Sequence, residues 1–284
     1  MNTNLGETKL KEYYDVALEL VIQCGSIFEQ GYNKSKKEVM VKSDFFDFVT
    51  IYDRQIEAKL TEGLLRAFPE SRIVGEEALA TAKQLPELTD APTWIIDPID
   101  GTTNYIHRLP ICGISVALAI NKQLVVGIIY NPAANELYSA WSEHGAFLNG
   151  KPIRVSGATT ISSAVVGHEI TLINVAAWRD KNLKRAYKLG SLAAGTRCFA
   201  TAAISLAYVA SGTLDAYHVD DLKPWDVAAG VLLVREAGGV VHQTDGGEFD
   251  VMKPKLVAAG RESLAQEVIQ LIKQADGIKG YTFS

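Results

Sequence analysis

Two aspartates three residues apart follow a short apolar run in the segment WIIDPIDGTTNYIH, residues 94–107. The run WII predicts a strand that delivers Asp97 at a sheet edge, where functional side chains tend to lie in α/β proteins. The proline that follows interrupts a simple strand, so Asp100 and the Ile99 carbonyl can converge with Asp97 on one point. Hard oxygen atoms at that density suit Mg²⁺. The alternative is that both aspartates cap a helix that begins near Gly101.

The residues after these aspartates favour a phosphate group beside such a metal. Gly101, Thr102 and Thr103 supply backbone N–H groups and two hydroxyls at a predicted helix start. A helix N-terminus with free N–H groups binds anions. A metal and a phosphate at one point indicate phosphoryl chemistry.

Two further acidic residues lie in segments of the same kind. Glu76, in the triplet GEE, follows the apolar pair Ile73 and Val74, which predicts a second strand end that carries carboxylates. Asp226, in WDVAAG, falls in the first turn of a predicted apolar helix. The alternatives are a solvated turn around Glu76 and a simple interaction of Asp226 with the helix dipole. Neither segment alone excludes its alternative.

The elements that must position these residues change in type near Trp94. Before it, apolar residues at helical spacing predict one helix in the first thirty residues, ended by Gly31, and a second from about Asp53 to Phe68. The segment between them is expected to be irregular or extended. After it, a largely antiparallel sheet is predicted, with the strands WIID, CGISVALAI, LVVGIIY and ELYSAW, and with AFLNG and KPIRV around an Asn-Gly turn.

Beyond Lys151, helices and short strands alternate. The predicted helices lie near residues 173–189, 201–211, 225–237 and 261–274, with the strands TLDAYH, GVVHQ and KLVAAG between them. We therefore expect an N-terminal α+β lobe over residues 1–150 and a C-terminal α/β lobe over residues 151–284, packed as one compact unit. An active site then lies in the cleft between the lobes.

Composition narrows the class of protein. The sequence has 28 Lys and Arg against 33 Asp and Glu, a formal charge of -5, and so lacks the basic surface typical of nucleic-acid-binding proteins. Its three cysteines are widely spaced and form no zinc motif, which favours a reducing cytoplasm. The polar N-terminal segment and the shortness of the apolar runs predict that the protein is neither exported nor anchored in a membrane.

Four segments together carry a resemblance to a known family. A pattern KS-x3-D-x-VT-x2-D, followed in order by GEE, DPIDGTTNYIH and PWDVAAG, resembles the inositol monophosphatase family of Mg²⁺-dependent, lithium-sensitive phosphatases, in its bacterial type. The resemblance covers nearly the whole chain. It implies an α/β fold, the layered αβαβα sandwich shared with fructose-1,6-bisphosphatase, with a largely antiparallel first sheet and a smaller second lobe. It also implies a homodimer.

The resemblance assigns metal ligands and catalytic residues. Glu76, Asp97 and the Ile99 carbonyl match the ligands of a first Mg²⁺, while Asp97, Asp100 and Asp226 match those of a second; a third, weaker ion would also use Glu76. The implied catalytic residues are Asp53, Thr102 and Glu76. In this scheme the Thr102 hydroxyl donates to Asp53 and holds the attacking water, so no covalent protein nucleophile is needed.

The resemblance also implies substrate contacts. They comprise the predicted phosphate-binding segment, two of the metal-binding aspartates, a second helix start that faces the substrate, and a basic residue near the metals. These residues are Asp100, Gly101, Thr102, Thr103, Ala200, Thr201, Ala202, Asp226 and Lys42.

One position departs from the family pattern. In the animal enzymes a glutamate seven residues before the late metal-binding aspartate contacts the inositol ring, and this chain has Val219 there. Asp220 or Asp221 could replace it from a shifted loop. The favoured function is hydrolysis of inositol 1-phosphate and related polyol or sugar phosphates. Fructose bisphosphate, NADP or a 3'-phosphonucleotide are alternative substrates, and a regulatory binding protein with secondary phosphatase activity is a further alternative.

Overall fold

The computed structural model describes residues 6–35, 39–41, 48–80, 82 and 84–279. The helices are, in chain order, α1 (Glu7–Tyr32), α2 (Ile51–Ala67), α3 (Glu76–Leu79), α4 (Thr102–His107), α5 (Ala176–Gly190), α6 (Ala202–Ala210), α7 (Pro224–Glu236) and α8 (Glu262–Asp276). The strands are β1 (Val39–Val41), β2 (Phe48–Thr50), β3 (Arg72–Gly75), β4 (Thr93–Asp100), β5 (Gly113–Ile120), β6 (Gln123–Asn131), β7 (Glu136–Trp141), β8 (Ala146–Leu148), β9 (Lys151–Ile153), β10 (Val165–His168), β11 (Gly195–Arg197), β12 (Ala216–Val219), β13 (Val240–His242) and β14 (Leu256–Ala259).

The strands form two large sheets and one hairpin. The larger sheet has seven strands in the order β3-β4-β5-β6-β7-β8-β9. It is antiparallel throughout except for the β3–β4 pair, which confirms the predicted largely antiparallel first sheet. The smaller sheet has five strands in the order β11-β10-β12-β14-β13, with β10 parallel to both of its neighbours. Strands β1 and β2 pair with each other.

Three apolar interfaces stack these elements into five layers. Helices α1 and α2 pack on the face of the larger sheet that carries Ile96. Helices α6 and α7 lie between the opposite face, which carries Ile95, and the face of the smaller sheet that carries Tyr217. Helices α5 and α8 cover the remaining face, which carries Ala216. This order is the predicted αβαβα sandwich.

The apolar runs of the sequence follow from this layering. Strand β5 reads GISVALAI, and all eight of its residues are buried. A strand covered by helices on both faces needs apolar residues on both, so its sequence is a continuous apolar run instead of an alternating pattern. Among the described helices, none has both the length and the apolar character needed to cross a membrane.

The structure corrects three sequence-based predictions. Helix α1 continues through Gly31 to Tyr32, whereas Gly31 was expected to end it. Strands β10 and β11 were not predicted, because their short sequences VVGH and GTR show neither an apolar run nor a polar–apolar alternation. The predicted helix start near residue 173 is a separate 3₁₀ segment, Ile170–Asn174, and α5 begins only at Ala176.

The division into two lobes stays a proposal. The larger sheet ends with β9 at Ile153 and the smaller sheet begins with β10 at Val165. We propose that the two lobes meet at the end of β9, close to residue 150, and share α6 and α7 as their common layer.

Gly31 is needed because aromatic side chains pack directly against α1. The Tyr105 hydroxyl donates to the Phe28 carbonyl of α1 at 2.8 Å. A Cβ atom at position 31 would overlap both that hydroxyl and the Tyr52 ring. The close approach of these rings, and not a helix end, therefore explains this glycine.

We predict that Gly31→Ala lowers the free energy of unfolding by about 1–3 kcal/mol, because the buried rings must move, although alanine is the better helix former. Urea denaturation measures the change. The control is Gly157→Ala in an exposed loop, where an added Cβ meets no atom within 4 Å. Equal effects of the two changes would show that packing against Tyr105 and Tyr52 does not constrain position 31.

Candidate active site

A bulge at the end of β4 turns two aspartates toward one point. In the pairing of β4 with β5, Asp97 lies opposite Ser115 and Asp100 opposite Gly113, with a register shift between them. Such an extra residue re-aims side chains locally. Each of Asp97, Asp100 and Asp226 has a carboxylate oxygen within 4.8 Å of those of the other two. This group of three is the carboxylate cluster.

The helix-capping alternative for the two aspartates of β4 is wrong. Both Asp97 and Asp100 lie within the strand, and Gly101 is the N-cap residue of α4, without a side-chain cap. Asp97 instead accepts a hydrogen bond from the backbone N–H of Ile99 at 3.0 Å. Neither aspartate therefore caps α4.

Asp100 connects the larger sheet to the start of α6. Its Oδ2 atom accepts hydrogen bonds from the Thr201 hydroxyl and from the Ala203 N–H, the latter at 2.7 Å. Thr201 is also the N-cap residue of α6 and accepts from the Ile204 N–H. The predicted helix start at residues 200–202 thus meets the predicted metal site directly.

Asp226 reaches the cluster from the first turn of α7. Its Oδ2 atom accepts from the Lys223 N–H at 2.6 Å, so it caps the helix as well as facing the other two carboxylates. The Ser115 hydroxyl of β5 donates to the Trp225 carbonyl at 3.2 Å. This contact fixes the start of α7 against the larger sheet.

Gly101 permits the tight turn between β4 and α4. Its φ of 83° lies in the left-handed region, which costs little only for glycine. A Cβ there would lie 3.2 Å from the Thr201 Cβ and 3.3 Å from the Cys112 Cβ. Thr102 and Thr103 follow as the first residues of α4, and Thr103 is exposed. The segment that was predicted to bind phosphate therefore forms a tight turn at the start of α4, next to the carboxylate cluster.

Asp53 and Thr102 are not hydrogen-bonded to each other in this structure. The Thr102 hydroxyl donates to the Ile99 carbonyl at 3.1 Å. Asp53 instead forms a capping box with Thr50, whose N–H and hydroxyl donate to Asp53 Oδ2 at 2.8 and 2.5 Å. The other oxygen of Asp53, Oδ1, is buried and accepts no hydrogen bond from the described residues. In this structure Thr50, and not Thr102, therefore donates to Asp53.

Glu57 was not predicted as a functional residue, yet it holds the segment that carries Glu76. Its two oxygens accept from the N–H groups of Glu77 and Ala78 at 2.8 and 2.7 Å. Gly75 allows this, because a Cβ there would lie 2.7 Å from the Glu57 Cδ. Glu57 lies one helical turn after Asp53 on α2, and this spacing was the signal available in the sequence.

The other positions considered for substrate contact do not belong to the carboxylate cluster. Ala200 has a φ of 55°, an uncommon conformation for a residue with a Cβ, in the turn that leads to α6. Lys42 lies outside the described residues. Val219 is a buried residue of β12, 3% exposed. The Asp220 carboxylate accepts from Arg185 at 2.7 Å and from Thr244 at 2.8 Å, so these residues already occupy it.

The sequence model of the inositol monophosphatase family matches residues 9–276. This chain belongs to the inositol monophosphatase family. It is 38% identical to inositol monophosphatase 2 of Solanum lycopersicum over 94% of this chain and 100% of that protein. It is 35% identical to human inositol monophosphatase 1 over 93% of this chain and 95% of that protein.

Solved structures agree on the fold. The extragenic suppressor protein suhB of Bartonella henselae superposes with a TM-score of 0.82 at 31% identity, covering 92% of this chain and 98% of that one. An inositol monophosphatase of Thermotoga maritima gives a TM-score of 0.81 at 28% identity, covering 93% of this chain and 97% of that one. These comparisons confirm the layered sandwich of the family.

The electrostatics of the cluster fit a family that depends on Mg²⁺. Burial, followed by the charges of Glu76, Asp100 and Asp226, raises the pKa of Asp97 well above its ordinary value. Burial also raises the pKa of Asp226 and raises that of Asp100 to about 6, although hydrogen bonds from Thr201 and Ala203 act in the opposite direction. A divalent cation would relieve this repulsion and favour the deprotonated forms.

Raised carboxyl pKa values make the metal-free protein less stable as the pH rises. A folded state that binds more protons than the unfolded chain loses stability with increasing pH until the folded-state pKa is passed. Burial also raises the pKa values of Asp53 and Glu169 to about 7, so we predict that the melting temperature in chelator falls between about pH 6.5 and about pH 8, and that saturating Mg²⁺ reduces the fall. The window begins there because the buried His168 and His218, whose pKa values are lowered, act in the opposite direction at lower pH.

Differential scanning calorimetry of the wild type and of Asp97→Asn checks this prediction. The substitution removes one of the titrating carboxyls, so its melting temperature should fall less steeply with pH. A wild-type melting temperature in chelator that stays level or rises across the window would contradict the raised pKa values.

Proposed function

We propose that this protein is a Mg²⁺-dependent phosphomonoesterase that hydrolyses inositol 1-phosphate and related polyol and sugar phosphates with a metal-activated water. The observation that carries the proposal is the convergence of Asp97, Asp100 and Asp226 within 4.8 Å beside the Gly101 turn. Three carboxylates at one point form an all-oxygen donor set of the kind that binds Mg²⁺.

We propose two to three Mg²⁺ ions with the ligands that the family pattern suggests. Glu76, Asp97 and the Ile99 carbonyl would hold the first, and Asp97, Asp100 and Asp226 the second, with Glu76 shared by a weaker third ion. The Ile99 carbonyl accepts from Thr102 and still has a second lone pair. Mg²⁺ bound there would neutralise the phosphate and lower the pKa of a coordinated water.

The protein groups then orient the reactants. The N–H groups of Gly101, Thr102 and Thr103 at the start of α4 are proposed to bind the phosphate oxygens. Asp53 is proposed to accept the proton of the attacking water. Burial raises its pKa to about 7, which suits a general base near neutral pH, and its buried Oδ1 has no hydrogen-bond donor among the described residues. Thr102, donating to Ile99, is proposed to orient that water.

The remaining proposals concern the substrate's alcohol and the setting of the enzyme. The start of α6, with Ala200, Thr201 and Ala202, is proposed to face the alcohol, and Lys42 to lie near the metals. Three cysteines that form no disulfide with one another support a reducing compartment such as the cytoplasm. The family likeness supports a homodimer, which sedimentation analysis would test.

We predict that Asp97→Asn lowers phosphate release from inositol 1-phosphate at least about a hundredfold, because an amide cannot supply the charge of a ligand proposed to bridge two ions. The assay measures phosphate release with Mg²⁺ and with excess chelator. The control is Asp15→Asn on the exposed surface of α1. Wild-type activity that persists in chelator, or full activity of Asp97→Asn, would refute the metal mechanism.

We also predict that Glu57→Gln raises the Mg²⁺ concentration for half-maximal activity several-fold, since the amide cannot accept from both the Glu77 and the Ala78 N–H and the Glu76 segment loosens. Glu62→Gln, an exposed change on the same helix, should leave it unaltered. A Mg²⁺ titration separates these outcomes. An unchanged Mg²⁺ requirement in Glu57→Gln would mean that Glu57 does not position a metal ligand.

A further inference from the structure

Glu169 lies on the face of the smaller sheet that packs against α6 and α7. Strands β10 and β12 are parallel, and Gly167 pairs with Tyr217. Glu169 follows the end of β10 by one residue, so continuing the register takes it beside Val219. Residues two apart in a strand share a face. Glu169, Tyr217 and Val219 therefore point to the same side of the sheet, toward the layer of α6 and α7.

The Glu169 carboxylate is buried but has spare acceptor capacity. It is 7% exposed. The Tyr217 hydroxyl donates to its Oε1 at 3.3 Å, and the Cys198 thiol donates weakly to its Oε2 at 3.8 Å. An ionised carboxylate offers about four acceptor positions. Together with a backbone hydrogen bond from Ala200, these contacts still leave it able to accept one further hydrogen bond.

Glu169 is close to the proposed substrate site. Burial, followed by the charge of Asp100, raises the pKa of Glu169 to about 7, so the two carboxylates act on each other. Cys198, which contacts Glu169, begins the turn that reaches Thr201, and the Thr201 hydroxyl donates to Asp100. Glu169 and Asp100 therefore lie at the two ends of the turn that starts α6.

The two acidic residues after the adjoining strand are paired with cations, whereas Glu169 accepts from neutral donors. Val219 is apolar, and Asp220 accepts from Arg185 and Thr244. Asp221 forms an ion pair with Lys181. Glu169 is not part of the group of described carboxylates that lie within 4.8 Å of one another.

We propose that Glu169 determines specificity by accepting a hydrogen bond from a hydroxyl on the substrate's alcohol, which favours esters of polyhydroxylated alcohols over esters without hydroxyls. This inference rests on the proposed phosphatase function. A carboxylate that is already buried gains a charge-assisted hydrogen bond from such a hydroxyl. An alcohol without hydroxyls leaves that acceptor unpaired.

The test compares two substrates in matched variants. Inositol 1-phosphate carries hydroxyls on its alcohol, whereas the leaving group of 4-nitrophenyl phosphate carries none. Glu169→Leu is made in a Tyr217→Phe background, so that no buried hydroxyl loses its acceptor, and Tyr217→Phe alone is the reference. Glu136→Gln is the control, because Glu136 also accepts from a tyrosine, Tyr138, at 3.1 Å, on β7.

We expect the ratio of kcat/KM for inositol 1-phosphate to that for 4-nitrophenyl phosphate to fall roughly tenfold to a hundredfold between the reference and the double variant. The ratio for Glu136→Gln should match the wild type. If the double variant loses both activities equally, or keeps the wild-type ratio, the inference is wrong while the phosphatase function stands. If the wild type releases no phosphate from inositol 1-phosphate with Mg²⁺, the proposed function itself fails.

Discussion

The repulsion among buried carboxylates is the constraint on which the rest of this structure depends. Asp97 and Asp100 are 2% and 8% exposed, and Asp226 has an oxygen within 4.8 Å of an oxygen of each. Groups of like charge at this distance in a poorly solvated site oppose folding unless they are protonated, hydrogen-bonded or bound to a cation. The fold supplies hydrogen bonds to all three, from the backbone of Ile99, from the start of α6 and from the start of α7.

The layered architecture explains how these donors meet. The first two aspartates come from the bulged end of β4 in the larger sheet, and their partners come from α6 and α7, the helices between the two sheets. The Ser115 hydroxyl joins β5 to the start of α7, and Asp100 joins β4 to the start of α6. The same contacts that pack the central layer therefore assemble the site, so its geometry is coupled to the stability of the whole sandwich.

The sequence predicted the parts of the site that depend on local order. A carboxylate at a strand end, a glycine at a tight turn and an aspartate in a helix first turn can each be seen in a short segment, and the structure brings those at Asp97, Gly101 and Asp226 together. The sequence also predicted most of the helices and the apolar strands, because a strand that is buried on both faces is a continuous apolar run. The role of Gly31 was predicted wrongly because glycine is required both at a helix end and where side chains approach a helix closely. Here the close contacts are with Tyr52 and Tyr105.

Residues that act through long-range contacts leave only a weak signal in the sequence. Glu57 holds the segment of Glu76 from a different helix, and Glu169 follows a strand of only four residues, too short to be predicted. The partner of Asp53 was predicted wrongly for the same reason. Thr50 and Thr102 both lie in the segments that carry the family resemblance, and only the folded backbone shows that Thr50 is the one that donates to Asp53. The order of residues in the chain does not show which side chains come within hydrogen-bond distance after folding.

The most direct test of the account is a measurement of divalent-cation binding that does not depend on turnover. Electron paramagnetic resonance of Mn²⁺, used as a probe for Mg²⁺, reports bound and free ion in the wild type and in Asp226→Asn. The account predicts Mn²⁺ bound by the wild type, displaced by excess Mg²⁺, and bound at least about tenfold more weakly by the variant. Equal Mn²⁺ binding by the two proteins, or none by the wild type, would contradict the claim that the carboxylate cluster is the metal site.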